Sequence, residues 1–248
     1  QLDNTVTDAV SPFKSSVHNA AELYDYVFAG GGCAALSLLG HLKNAGLLHG
    51  KKVLVIDRDA KKSNDRTWCF WEKEAGIFEP VVYKSWQALS FFSAYFSGPL
   101  SIAPYTYKLL RGIDFYRHCF AQLAETNIQW LQADVTAVTN SAEGAMIEAG
   151  GQNYKSKVVF NSMLPQQPQL ARHEYWLLQH FKGWIVETEE DAFDPANATL
   201  MDFRVSQAHG STFVYVLPFS KRRALVEYTL FSKTLLPEKA YDAALKDY

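Results

Sequence analysis

Tyr24-Asp25-Tyr26-Val27-Phe28-Ala29-Gly30-Gly31-Gly32-Cys33-Ala34-Ala35 decides how this chain begins to fold. Residues 24–28 form an apolar and aromatic run of strand length, and the three glycines end it abruptly. Beyond them Leu36, Leu38, Leu39 and Leu42 mark a helix, which Asn44-Ala45-Gly46 stops. Lys51-Lys52-Val53-Leu54-Val55-Ile56-Asp57 is then a second strand that closes on a carboxylate. Strand, tight turn, helix and strand predict a βαβ unit that is complete by residue 57.

Gly30, Gly32 and Ala35 fit the spacing GxGxxA. The first glycine permits the tight turn, the second lets backbone amides approach a pyrophosphate, and Ala35 allows close helix–sheet packing. Asp57 stands where an acidic residue accepts hydrogen bonds from a ribose diol. A glycine-rich turn with no ligand satisfies the same spacing; the strand before it, the helix after it and Asp57 weigh towards a dinucleotide site. FAD is favoured over NAD because the fingerprint lies near the start of a chain whose first domain gives way to a sheet-rich second one. That preference is a fold-level analogy. Arg58 and Arg66, just downstream, are candidates for a positive charge near the phosphates or the flavin.

Outward from this unit, the first 22 residues are polar, lack the apolar segment of a signal peptide, and read as a flexible tail. Downstream, a helix is expected over residues 114–125, with Asp114 as a possible N-cap, and strands near 128–131, 135–139, 145–148 and 157–160. The composition changes after Asn161, where Pro165, Pro168 and two glutamines interrupt the pattern. Strand-like segments follow at 183–188, 199–207, 212–219 and 224–231, the last two joined by a turn at Ser220 to Arg223. The fold class is thus α/β: an FAD/NAD(P)-binding Rossmann-like domain over 23–162 and a mainly antiparallel β-sheet substrate domain over 163–248. The helical stretch from Pro237 to Tyr248 is followed by no returning strand, so both domains read as lacking a C-terminal part.

Composition excludes several classes. With 248 residues, 48% hydrophobic and 20% charged, the chain can bury a substantial core. A net charge of -2 without a long basic run argues against nucleic acid as a partner. Cys33, Cys69 and Cys119 are odd in number and lack CxxC spacing, so neither a disulfide framework nor a metal site is expected, and a reducing, cytoplasmic setting fits. The longest apolar stretch, residues 26–39, is broken by glycines and falls short of the roughly 20 residues that span a bilayer. Any membrane contact is expected to be peripheral.

Several segments resemble the flavin-dependent lycopene cyclases of bacterial type. Asn64-Asp65-Arg66-Thr67-Trp68-Cys69-Phe70-Trp71 and Gly112-Ile113-Asp114-Phe115-Tyr116 are similar to segments of that family. So, in the same order, are Gln179-His180-Phe181-Lys182-Gly183-Trp184, Met201-Asp202-Phe203-Arg204 and Tyr215-Val216-Leu217-Pro218-Phe219-Ser220. Leu225-Val226-Glu227-Tyr228-Thr229 is similar to the Phe-Leu-Glu-Glu-Thr motif of the plant enzymes. The resemblance implies that Glu227 is the catalytic acid; Tyr228 departs from the motif and inherits no role.

The residues themselves are compatible with this. In a strand over 224–231, Glu227 shares a face with Leu225, Thr229 and Phe231, while Val226, Tyr228 and Leu230 take the other. Apolar surroundings would raise its pKa and keep it protonated, as a proton donor to an alkene requires. The alternative is an edge-strand glutamate paired with Arg222 or Arg223 in solvent.

The resemblance further implies a redox-neutral isomerisation: Glu227 protonates the end group of a linear carotene such as lycopene, the cation closes into a ring, and a proton leaves. FAD would act in its reduced form, with NAD(P)H as the reductant. Phe203, Tyr215, Phe219 and Tyr228 are candidates to stabilise the cation or to serve as plain core. The substrate implies uptake from a bilayer, hence a cytoplasmic, membrane-associated protein. Two other readings remain: a monooxygenase, halogenase or prenyl reductase on the same scaffold, which would not need Glu227, and a non-catalytic dinucleotide-binding module.

Overall fold

The computed structural model describes residues 11–15, 22–163 and 169–248. In chain order it contains β1 (Leu23–Ala29), α1 (Cys33–Asn44), β2 (Val53–Asp57), β3 (Thr67–Glu72), β4 (Lys84–Trp86), β5 (Ala88–Phe92), β6 (Ser97–Ser101), β7 (Thr106–Arg111) and α2 (Gly112–Leu123). There follow β8 (Ile128–Gln132), β9 (Val135–Ser141), β10 (Gly144–Ala149), β11 (Gln152–Asn161), β12 (Leu178–Glu187), β13 (Asn197–Asp202), β14 (Ser211–Ser220), β15 (Arg223–Ser232) and α3 (Glu238–Asp247).

Contacts divide the chain into two units, and neither is a contiguous block. Of the described residues, one comprises 11–15, 22–67 and 111–163; the other comprises 68–110 and 169–248. Residues 68–110, expected within the first domain over 23–162, belong to the second unit. Those residues instead bury Trp86, Leu89 and Leu109 in one cluster with Ala198 and Leu217, far downstream in the chain. The expected boundary around Pro165 and Pro168 lies outside the described residues.

In the first unit a six-stranded sheet runs in the order β8-β2-β1-β11-β10-β9. β8, β2, β1 and β11 are parallel, and β10 and β9 add antiparallel at one edge. The expected βαβ unit is present, with α1 connecting the neighbouring parallel strands β1 and β2. β2 is buried on both sides, as a parallel strand covered on both faces must be. Leu54 and Ile56 join Tyr24, Ile147 and Tyr154 in one cluster. α1 buries Leu36 and Leu39, and α2 buries Phe115, Tyr116, Cys119 and Leu123.

The N-terminal stretch expected to be flexible over 1–22 contains a packed segment. Phe13 is buried against Phe120 and Trp130, with ring centroids at 6.1 and 5.2 Å, and Lys14 bridges in parallel to Leu131 of β8. An apolar ring can fill a space that α2 and β8 leave beside the sheet, which outweighs the polarity of its neighbours in sequence. α2 also starts two residues earlier than expected. Its N-cap is Arg111, so Asp114 lies within the first turn and pairs with the Arg111 side chain instead of capping.

The second unit is built on a six-stranded sheet, β12-β15-β14-β13-β5-β6, and a small sheet, β3-β7-β4. The large sheet is antiparallel except where β5 pairs in parallel with β13. β15 lies in its interior, between β12 and β14. Alternation sets two faces on β15. Val226, Tyr228 and Leu230 pack with Val214 beneath Tyr241 and Leu245 of α3, whereas Leu225 joins the cluster of Trp86, Tyr107 and Leu109.

Candidate functional site

The glycine turn leaves β1 with Gly30 at φ 111°, a conformation that L side chains rarely adopt. A Cβ there would also lie 2.0 Å from the Ser162 hydroxyl oxygen. At Gly32, the N-cap of α1, a Cβ would meet nothing within 4 Å, so open space lies before the helix. No side chain caps that helix end and no acidic residue occupies its first turn, leaving backbone N–H groups for an anion. Ala35 sits half-buried in the same first turn.

Asp57, at the end of β2, does more than its sequence position suggested. Its Oδ2 accepts from the Gly31 N–H at 2.7 Å, its Oδ1 accepts from the Asp59 N–H at 2.8 Å, and Lys61 pairs with it at 3.3 Å. The carboxylate therefore ties the glycine turn to the neighbouring strand, and its oxygens keep lone pairs for a ribose. A cavity of about 360 Å³ opens at the carboxyl ends of β1 and β2, lined among others by Gly30, Asp57, Arg58, Lys61 and Ser162. The crevice beyond the carboxyl ends of parallel strands is where α/β sheets bind ligands. Lys61 is a cation that sequence reasoning passed over, because nothing in its local pattern separates it from a solvated lysine.

Arg66 is not among the cavity residues. Its carbonyl accepts from the Gly112 N–H at 2.7 Å, while Asn64 Oδ1 accepts from the Ile113 N–H and Asp65 Oδ1 from the Tyr116 hydroxyl. Asn64-Asp65-Arg66 thus clamps the start of α2 and satisfies amides that a helix leaves free there. Two motifs read separately in the sequence are one structural feature. A larger cavity of about 680 Å³ in the same unit, between Pro12, Lys14, Phe120, Leu123 and Trp130, has no carboxylate and none of the candidate residues among the described residues that line it.

In the second unit, Glu227 stands partly buried on the interior strand β15. Tyr215 faces it across β14 and Gly183 across β12. The Thr229 hydroxyl donates to its Oε1 at 3.1 Å. Burial pushes the Glu227 carboxyl above the usual carboxylate range, and the Thr229 hydrogen bond opposes this only in part. Neighbours that feel its charge are themselves neutral acids held protonated: burial pushes the Cys69 thiol up to about 12 and raises the Tyr107 and Tyr215 hydroxyls. The edge-strand alternative fails, because Arg222 pairs with Asp191, Arg223 pairs with Glu187, and β15 is not an edge.

Burial among apolar and phenolic groups favours the protonated form of this carboxyl, the form that can donate a proton to an uncharged substrate. Of the four aromatic candidates, Tyr215 shares Glu227's face, and Phe203 packs on Phe213 of that face at 5.1 Å. Phe219 makes an edge contact with Tyr83 in the cluster around Trp86. Tyr228 points to the opposite face and packs edge-on with Tyr241 of α3, which accounts for an aromatic residue where the plant motif has a second glutamate.

The family model described as lycopene cyclase protein matches residues 25–248, nearly the whole chain. The chain belongs to that family. No curated protein matches the sequence significantly. Among solved structures, this lycopene cyclase family chain is similar to a geranylgeranyl bacteriochlorophyll reductase-like protein from Thermoplasma acidophilum, with 14% identity over 91% of this chain and 61% of that one, at a TM-score of 0.60. It is also similar to a probable FAD-dependent monooxygenase from Pseudomonas aeruginosa, with 13% identity over 84% of this chain and 61% of that one, at a TM-score of 0.56. A flavin-dependent brominase matches with 16% identity over 91% of this chain and 60% of its own, at a TM-score of 0.55. These likenesses establish a shared α/β fold, and the chain spans about three fifths of the length of each.

Proposed function

We propose that the chain is part of a lycopene β-cyclase, an intramolecular lyase of carotenoid biosynthesis, with FAD bound in a Rossmann-like unit and Glu227 as the acid. The observation that carries this reading is the setting of Glu227: an interior-strand carboxyl with a raised pKa, no arginine paired with it among the described residues, and protonated phenol and thiol neighbours.

Gly30, Gly32, Asp57, Arg58 and Lys61 are the residues that would hold the dinucleotide, with the pyrophosphate at the N-terminus of α1 and a ribose hydroxyl on Asp57. FAD held there in its reduced form, with NAD(P)H as reductant, would supply negative charge that favours a cation in the substrate. The Glu227 carboxyl gives its proton to the terminal double bond of the linear carotene. The cation left on the substrate is attacked by a neighbouring double bond, a six-membered ring closes, and loss of a proton restores an alkene. Atoms and electrons balance with no net oxidation, and the acid is ready again once it regains a proton. Tyr215, opposite Glu227, offers its ring face to the transient charge.

The substrate is too apolar to cross water, so the enzyme works at the cytoplasmic surface of a membrane. Among the described residues no helix is long and apolar enough to cross one, and peripheral contact is the mode we propose.

The deciding experiment gives lycopene to the reduced, flavin-loaded protein containing this chain, as wild type and as Glu227→Gln, and identifies the carotenoids formed. Cyclic product from wild type, reduced at least about 100-fold in the variant with flavin retained, is expected. Equal product from both would remove Glu227 as the acid. Persistence of lycopene in the flavin-loaded wild type would favour redox chemistry on the same scaffold.

A further inference from the structure

Aromatic rings on the Glu227 face form a continuous row. It begins at the β5–β6 hairpin, where Phe96 approaches Phe91 with ring centroids 6.1 Å apart. Phe91 lies 5.6 Å from Phe203, Phe203 lies 5.1 Å from Phe213, and Phe213 lies 5.2 Å from Tyr215 and 6.4 Å from Phe231. Tyr215 is the cross-strand partner of Glu227, and Phe213 is the partner of Thr229, which donates to the same carboxyl. The row therefore ends on the proposed acid.

Its two ends differ. The inner end is closed, because Tyr215 packs against the cluster of Trp86 and Tyr107 with Cys69 at its side. The outer end is open: Phe96 is half exposed, and Tyr95 beside it is fully exposed. Between them Phe213 is buried, but Phe91, Phe203 and Phe231 are only partly buried, so ring surface remains at these three positions. Cross-strand aromatic pairs stabilise sheets by themselves, but that duty does not require half-covered rings or two exposed aromatics at the hairpin tip. The segment carrying Phe203 is also braced. Its N–H donates to the Phe92 carbonyl at 2.8 Å, and the flanking Asp202 and Arg204 form a two-point ion pair at 2.9 and 2.7 Å.

We propose that this row is the binding surface for the linear arm of a conjugated polyene, with the reactive end group at Glu227 and the far arm leaving past Phe96. The inference rests on the cyclase reading and adds to it the residues that recognise chain length. A flat conjugated chain gains dispersion contacts along successive ring faces, and each ring contributes a part of the affinity. A substrate of half the length with the same end group would reach Glu227 without using Phe91 or Phe96.

The test reads binding directly, from the shift in polyene absorption on transfer from detergent micelles to the flavin-loaded protein, so it does not depend on turnover. Phe96→Asp, at a half-exposed position, and Phe91→Ala are each expected to weaken lycopene binding about fivefold or more while leaving the half-length acyclic polyene within about twofold of wild type. A parallel assay should show a raised KM for lycopene with kcat retained. Equal weakening of both polyenes, or of neither, overturns the proposal. Length discrimination in a wild type that does not cyclise lycopene would sink the cyclase reading and leave the row standing.

Discussion

The glycine turn of the first unit and the Glu227 strand of the second reach chemical competence by opposite means. At Gly30 to Gly32 the functional groups are backbone amides, and what matters is the absence of side chains: φ 111° at Gly30 and empty space before Gly32. At Glu227 the functional group is one side chain, and what matters is the set of side chains around it, Cys69, Tyr107, Thr229 and Tyr215. The first kind of site follows from a few consecutive residues. The second needs three or four strands to meet.

The contrast can be broken or sharpened by substitution. The largest effect is expected where the local turn leans on a distant residue. A Cβ on Gly31 would lie 2.8 Å from the Phe13 ring, so Phe13 supports the turn from outside its own segment. Phe13→Ala should lower unfolding free energy by about 3 kcal/mol in a denaturant titration, with weaker FAD binding. An unchanged midpoint would show that the turn stands alone. Gly30→Ala tests the local requirement itself; strained φ and the clash with Ser162 should cost about 2 kcal/mol and flavin retention, read by absorbance after gel filtration.

Glu227→Gln should act in the opposite direction on stability. The folded-state pKa of Glu227 is raised above 4.5, so its favourable contribution is present below the unfolded value and is lost as pH rises through the folded value. Glutamine avoids that loss. The Tm of the variant should exceed wild type at about pH 8, and the gain should vanish at about pH 4. A gain independent of pH would mean that ionisation is not what the site resists.

The smallest expected effect is at Gly183. A Cβ there would lie 3.5 Å from the Cβ and Cγ of Glu227, and Leu225, at 3.0 Å, would have to give slightly. Gly183→Ala should change stability by less than about 1 kcal/mol yet shield the carboxyl further, moving the alkaline limb of kcat to higher pH. An unmoved or lowered limb would show that the space beside Gly183 does not set the acidity of Glu227.

Much of this arrangement was legible in the chain itself. β1, α1 and β2, the turn between β14 and β15, and the two faces of the Glu227 strand all follow from short-range pattern. The strands from β3 to β7 were not legible: Pro80, Pro99 and Pro104 interrupt their periodicity, and β5, besides its hairpin with β6, pairs with the distant β13, Ala88 to Asn197. Phe13 carried no signal either, a lone aromatic in a polar stretch whose burial depends on Phe120 and Trp130.

For the candidate site the division is the same. Sequence alone determined the glycine turn, the carboxylate at Asp57 and the alternation that separates Glu227 from Tyr228, because backbone dihedrals and strand period are properties of neighbours in the chain. Only the tertiary structure decided that Asp57 clamps Gly31, that Arg66 anchors a helix by its carbonyl, and that Glu227 stands among neutral acids on an interior strand. Desolvation and hydrogen bonding depend on which distant groups arrive at the same place, and no local pattern records that.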